Sequence, residues 1–274
     1  MRTTHGISRR AFMMDLGKGT FAVAVLGLTT MACSSDDPSP AATTAGGASG
    51  GGSSTPPSSE TTSAVTTSPV TTSPVGDAAV SWERVNLGFV SAYVLARRGE
   101  ATIVDTGVSG SEDAIAASLG ALDLGWDDVS HVIVTHLHDD HQGSLPAVLN
   151  LAGDAAAYAG AADIPAISSP RPLNAVGDGD TVFGLQIIDT PGHTPGHIAV
   201  FDPAGGGLLL AGDALNGADG GVIGANPNFT SDMVAADESI GKLAALTFDT
   251  VVFGHGEPVE TTASQQVAEL AATL

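Results

Sequence analysis

From residue 80 onward, short apolar runs rich in Val, Ile, Leu and Ala alternate with polar breaks that carry Gly, Asp or Pro. The runs Val80–Asn86, Phe89–Ala96, Ala101–Asp105, His131–Thr135, Ala155–Tyr158, Leu185–Asp189, Ile198–Asp202, Leu208–Ala211 and Val251–Phe253 are brief and bounded by turn residues. That pattern predicts strands. Longer stretches opening on a polar residue, Ser111–Leu122, Ser144–Leu149, Asp232–Leu246 and Thr261–Ala272, predict helices. Asp202-Pro203-Ala204-Gly205-Gly206-Gly207 reads as a turn joining two antiparallel strands.

Chemistry-bearing residues follow the apolar runs directly. Val132-Ile133-Val134 leads into Thr135-His136, and Ile187-Ile188 into Asp189-Thr190-Pro191-Gly192-His193. Leu208-Leu209-Leu210 leads into Ala211-Gly212-Asp213, and Val251-Val252-Phe253 into Gly254-His255. Rigid strands that deliver polar side chains on the loops at their ends hold a preorganised site.

The first 76 residues have another character. Ser8-Arg9-Arg10-Ala11-Phe12-Met13, followed by the apolar run Phe21 to Met31, resembles a twin-arginine export signal. The run is too short to span a bilayer. Thr30-Met31-Ala32-Cys33 looks like a lipobox, although Thr30 stands where Leu is usual; simple cleavage after Ala32 is the alternative. Residues 34–76 are almost entirely Ser, Thr, Pro, Gly and Ala, with no aromatic or basic side chain. They offer too little apolar surface to offset the entropy of ordering, which predicts a disordered tether. The expected organisation is a signal over 1–33, a linker over 34–76 and one folded domain over 77–274. The expected location is outside the cytoplasmic membrane, lipid-anchored through Cys33, or otherwise secreted or periplasmic.

Charge narrows the partners. The chain has 274 residues, 30 acids against nine Lys and Arg, and a formal net charge of −21. Beyond Cys33 the bases are Arg84, Arg97, Arg98, Arg171 and Lys242 alone. Nucleic acids and anionic lipid surfaces are bound through clustered Lys and Arg, so neither is expected here. An acidic surface also serves solubility alone. Cys33 is the only cysteine, so no intrachain disulfide is possible.

His136-Leu137-His138-Asp139-Asp140-His141 packs three imidazoles and two carboxylates into six residues. Such crowding makes a poor core, whereas imidazole and carboxylate suit a borderline cation such as zinc. The segment Thr135 to Gly143 resembles the signature loop of the metallo-β-lactamase superfamily. Pro191-Gly192-His193-Thr194-Pro195-Gly196-His197 looks like its third-histidine loop, in the form of glyoxalase II-like hydrolases and lactonases. Val104-Asp105-Thr106-Gly107, Gly212-Asp213-Ala214-Leu215 and Gly254-His255-Gly256 resemble further motifs of that family, in family order.

The resemblance implies an α/β fold, a four-layer αβ/βα sandwich of two mixed β-sheets flanked by helices. It implies two divalent cations, zinc first, with iron or manganese as alternatives. His136, His138 and His193 would bind one, Asp140, His141 and His255 the other, and Asp213 both. Asp105 and His197 would support the ligands from behind. His131 is expected to be structural, His5 belongs to the signal, and Asp139 either faces solvent or holds a ligand histidine. A metal pair about 3.5–4 Å apart would generate a bridging hydroxide near neutral pH. Asp140 would then carry the proton to the leaving group.

Asp213 narrows the resemblance further, since true β-lactamases of the superfamily carry Cys or Ser there. The sequence stops 19 residues after His255, short of the helical domain that binds glutathione in glyoxalase II. The expectation is therefore a small-molecule ester, lactone or thioester. Other readings stay open: a mononuclear-iron persulfide dioxygenase-like enzyme, a metallo-β-lactamase, or a non-catalytic metal-binding lipoprotein. The loops Asn216–Thr230 and Asn174–Asp180 are expected to form the substrate pocket. Nothing in the sequence sets the oligomeric state.

Overall fold

Two six-stranded sheets, each mixed, form the middle of the domain. A computed structural model describes residues 78–274; the expected signal over 1–33 with Cys33 and the expected linker over 34–76 lie outside the described residues. The first sheet runs in the order β1 (Ser81–Asn86), β2 (Ser91–Arg97), β3 (Glu100–Val104), β4 (Val129–Val134), β5 (Ala156–Gly160) and β6 (Asn174–Val176). Its first three strands are antiparallel neighbours, while β3 to β6 pair in parallel. The second sheet contains β7 (Thr181–Val182), β8 (Leu185–Asp189), β9 (Ile198–Asp202), β10 (Leu208–Leu210), β13 (Thr250–Val252) and β14 (Val259–Glu260). Its order is β14-β13-β10-β9-β8-β7, and only the β10/β13 pair is parallel. A separate hairpin joins β11 (Leu215–Ala218) to β12 (Gly221–Gly224).

Period-two alternation sorts side chains into three cores. On β2, Tyr93 and Leu95 face the second sheet, whereas Ala92 and Val94 face helices; on β9, Ile198 and Val200 face inward and Ala199 and Phe201 outward. The outer face of the first sheet buries Ile115 and Leu119 of α1 (Glu112–Ala121) and Leu145, Val148 and Leu149 of α3 (Leu145–Leu151). The outer face of the second buries Ile240 and Leu243 of α4 (Met233–Leu243) and Val267 of α5 (Ala263–Ala271). This is the αβ/βα sandwich expected. Strands covered on both faces explain why the apolar runs are nearly continuous.

The differences from the expected elements have local causes. Asp232 caps α4 by accepting from the Val234 and Ala235 N–H groups, so the helix proper begins at Met233. Thr261 and Thr262 have φ of 68° and 56°, and α5 starts only after them. Asp139–Gln142, for which no helix was expected, is one helical turn, α2. Strands β6, β7, β11, β12 and β14 were not expected; all are only two to four residues long. The turn over residues 202–207 does join antiparallel strands, β9 and β10.

Candidate metal centre

The seven residues singled out as ligands converge at the strand ends where the two sheets meet. Nε2 of His136 and Nε2 of His193 lie 3.1 and 2.9 Å from Nδ1 of His138. Asp213 Oδ2 is 3.4 Å from His193 Nε2 and 3.2 Å from His255 Nε2, while its Oδ1 is 3.3 Å from His141 Nε2. Asp140 Oδ2 lies 3.4 Å from His255 Nε2. Three overlapping groups of donors, His136/His138/His193, His136/His141/Asp213 and Asp140/His141/His255, are each close enough to hold a metal ion.

Outer partners fix which nitrogen of each ring points inward. His255 Nδ1 donates to the Phe89 carbonyl at 2.6 Å, and His141 Nδ1 to Asp105 Oδ2 at 2.8 Å. Thr135 Oγ1 donates to the Asp105 carboxylate and so accepts from His136 Nδ1 at 3.0 Å. Thr230 Oγ1 donates to the Asn226 carbonyl and accepts from His193 Nδ1 at 3.2 Å. In all four rings the outer contact fixes the neutral tautomer with its proton on Nδ1, so Nε2 is the nitrogen that faces the centre, the orientation that metal-binding imidazoles need.

The donor set therefore fits a cation. Nε2 of His141 and Oδ1 of Asp213 are buried and have no hydrogen-bond partner among the described residues. Orphaned buried polar atoms are costly unless something else satisfies them. Burial and neighbouring imidazoles hold His136 well below its usual pKa; burial, partly offset by Asp213, brings His193 to about 4. Burial opposes a charge on His141 too, yet Asp105 and Asp213 outweigh it and lift that ring to about 9. The Asp213 hydrogen bond raises His255. His141 and His255 in turn outweigh burial at Asp213 and hold its carboxyl below the usual range.

A family profile for the metallo-β-lactamase superfamily matches residues 85–255, a span that contains every one of these side chains. The chain belongs to the metallo-β-lactamase superfamily. A hydroxyacylglutathione hydrolase of Aeromonas hydrophila is 32% identical over 151 residues, covering 53% of this chain and 53% of that protein. One from Pseudomonas aeruginosa is 37% identical over 129 residues, 46% of each. The chain thus spans about half the length of these curated relatives. Among solved structures, a metallo-β-lactamase family protein from Thermus thermophilus superposes with a TM-score of 0.58 at 23% identity, covering 71% of this chain and 79% of that one. A subclass B3 metallo-β-lactamase of Bradyrhizobium japonicum gives 0.55 at 20% identity, covering 72% and 88%. The fold is shared with both.

Behind the superfamily's signature residues stand the supports. Asp105 leaves β3 with φ 60° and turns its carboxylate toward β4, where Oδ1 accepts the Thr135 N–H at 2.7 Å. His197 is fully engaged: Nε2 accepts the Asp213 N–H at 3.0 Å and Nδ1 donates to Thr190 Oγ1 at 2.7 Å. Both nitrogens are spent, which leaves no lone pair for a metal. Tyr93, raised to about 12 chiefly by burial, donates to the Phe253 carbonyl at 2.7 Å and pins the strand end before His255.

Sequence reasoning missed Asp163. It is fully buried, and its carboxylate accepts from the Leu137 N–H, the Thr194 hydroxyl and the Gly196 N–H at 3.0, 2.6 and 2.7 Å. One side chain thus ties the His136–His138 loop to the His193–His197 loop. The only signal was a lone acid among Ala and Ile. Asp139 is exposed, which resolves the choice left open for it. His131 packs against Tyr158 and Phe183 with ring centroids 5.8 and 5.7 Å away, as a structural residue does. Of the two loops expected around the pocket, 216–230 lines the cavity beside the donors; 174–180 does not.

Proposed function

We propose that the chain is a metal-dependent hydrolase of an ester, lactone or thioester. The observation that carries this reading is the convergence of five imidazoles around Asp213, four of them with the outer nitrogen tied so that Nε2 faces inward. His136, His138 and His193 would hold one cation, Asp140, His141 and His255 a second, and Asp213 reaches both groups. Zinc suits these nitrogen and carboxylate donors, which include no thiolate. Divalent cations bound there would acidify water toward neutral pKa and polarise a carbonyl.

The chain's own groups do the rest. Asp105, Thr135, Thr230 and the Phe89 carbonyl keep the rings oriented. Asp140 lines the cavity and is partly exposed, so beside its contact with His255 its carboxylate can take up the proton lost by the attacking water. It then returns that proton to the departing alkoxide or thiolate, which balances the hydrolysis. The identity to hydroxyacylglutathione hydrolases supports a thioester among the candidates. As separate parts of this reading, the chain is exported and Cys33 carries a lipid anchor.

Metal quantification on purified protein, followed by a screen of lactones, thioesters, phosphodiesters and a β-lactam, tests the reading. Asp213→Ala should abolish turnover and lower metal content while the domain stays folded. A single iron per chain, or full activity in that variant, would overturn it.

A further inference from the structure

Exposed aromatic side chains are costly, and scattered single ones need no explanation. Here they are not scattered. Phe89, Phe229 and Ile223 are 63%, 67% and 49% exposed, and all three line one cavity of about 870 Å³. The same cavity reaches His138, Asp140, Asp213 and His255. An apolar wall beside a cluster of metal-type donors is the arrangement of a small-molecule site.

The walls are attached to the donors. Phe89 sits at the β1–β2 turn, stacks on His255 with rings 17° from parallel and centroids 6.3 Å apart, and accepts the His255 Nδ1 proton on its carbonyl. Phe229 immediately precedes Thr230, whose hydroxyl accepts from His193. The segments that orient two histidines therefore also present the two rings. Charge supplies the second half of the argument. Among the described residues no Lys or Arg lines the cavity, and away from the donors its one charged group is Asp139. A substrate tail bearing a carboxylate would find no counter-ion there and would lose hydration without return.

We propose that this cavity is the acyl-chain subsite of the enzyme, with Phe89 and Phe229 as specificity-determining walls for an uncharged, apolar acyl group. The inference rests on the hydrolase reading above and narrows its substrate class: long neutral acyl esters, lactones or thioesters are favoured over those with anionic tails. Contact with the apolar wall gains roughly three- to four-fold in affinity per methylene.

Two measurements on the metal-loaded protein separate this inference from that reading. The first is kcat/KM for p-nitrophenyl esters from acetyl to octanoyl, beside a thioester series and an adipate half-ester. Rates should climb along the neutral series, the half-ester should fall well below hexanoate, and Phe229→Ala should cut the octanoyl-to-acetyl ratio at least about ten-fold, from loss of contact over several methylenes. The second is calorimetric binding of octanamide, which needs no turnover; it should bind with a negative heat-capacity change, and Phe89→Ala and Phe229→Ala should each weaken it. Octanamide binding without hydrolysis of any ester, lactone or thioester would keep the subsite and sink the hydrolase. A flat chain-length profile, equal use of the half-ester, no octanamide binding, or dimerisation through Phe89 and Phe229 that excludes octanamide would each overturn the subsite.

Discussion

The backbone N–H of Asp213 donates to Nε2 of His197 at 3.0 Å, so a histidine with no access to the centre sets the position of the carboxylate at its middle. His193, on the same loop, differs in kind, because its Nε2 faces His138 and Asp213 while Thr230 holds its other nitrogen. His193→Ala should therefore strip metal far more than His197→Ala. The latter should mainly destabilise, by about 1–3 kcal/mol for the stranded Asp213 N–H and Thr190 hydroxyl. Metal content and denaturant midpoints of the two variants check this; equal metal loss would contradict it.

Protonation predicts a bell-shaped stability profile for the metal-free protein. Burial holds His197 at about 3, against 6.5 when unfolded. Between those values the unfolded chain binds the extra proton, so stability is fully present above pH 6.5 and is lost as pH falls toward 3. His193, at about 4, adds in the same direction. His141, lifted to about 9 by Asp105 and Asp213 against its burial, has the opposite sign: its contribution is complete below 6.5 and disappears as pH rises through 9. Chelator-treated protein should be most resistant to urea near pH 6.5, where the two opposing limbs meet. His197→Gln should make the acid limb shallower and leave the alkaline limb in place; a profile without an acid limb would argue against the His197 assignment, and one without an alkaline limb against that of His141.

Much of this architecture is legible in the sequence, and the reason is local. Val132-Ile133-Val134 and Leu208-Leu209-Leu210 are apolar on both faces because helices cover one side of each sheet and the partner sheet the other. Their polar sequels, His136 and Asp213, stand out against that background. The hairpin of β11 and β12 carries no such mark, since Asn216-Gly217-Ala218 has little strand propensity and is held by tertiary contact. Asp163 and Phe89 are equally silent. Asp163 belongs to no periodic pattern and Phe89 reads only as the first residue of an apolar run, and each acquires its role only when a distant loop arrives beside it.

Asp163 makes a case that sequence alone could not. Its carboxylate joins the two loops that carry His136, His138 and His193, and it satisfies two backbone N–H groups, one of them buried, in doing so. Asp163→Ala removes the acceptor of three donors and should cost about 2–4 kcal/mol through the groups left unpaired. Because the loops carry metal-type donors, it should also weaken metal binding by about 10–100-fold, the range for outer supports of a site. Asp163→Glu tests geometry against charge, and metal affinity measured by competition with a chelator should remain weakened in it. Native affinity in Asp163→Ala would show that the loops hold their positions without the clamp.

Gly254 offers the sharpest steric test. A methyl group built on it would collide with Asp213 Oδ1 and with the His141 ring, the two side chains whose inward atoms have no other partner among the described residues. Its backbone is ordinary in that φ is not positive, so Gly254→Ala introduces no conformational strain and acts through space alone. Overpacking of this kind costs about 1–3 kcal/mol, which the domain should survive. The methyl must then be accommodated by turning Asp213 and His141 away from each other, and both belong to the group His136/His141/Asp213. The variant should fold, keep its secondary structure by circular dichroism, and lose at least half of its bound metal along with turnover. Full metal occupancy in folded Gly254→Ala would mean that the Asp213–His141 spacing is not what holds the cations, and the centre would have to be rebuilt around His136, His138 and His193 alone.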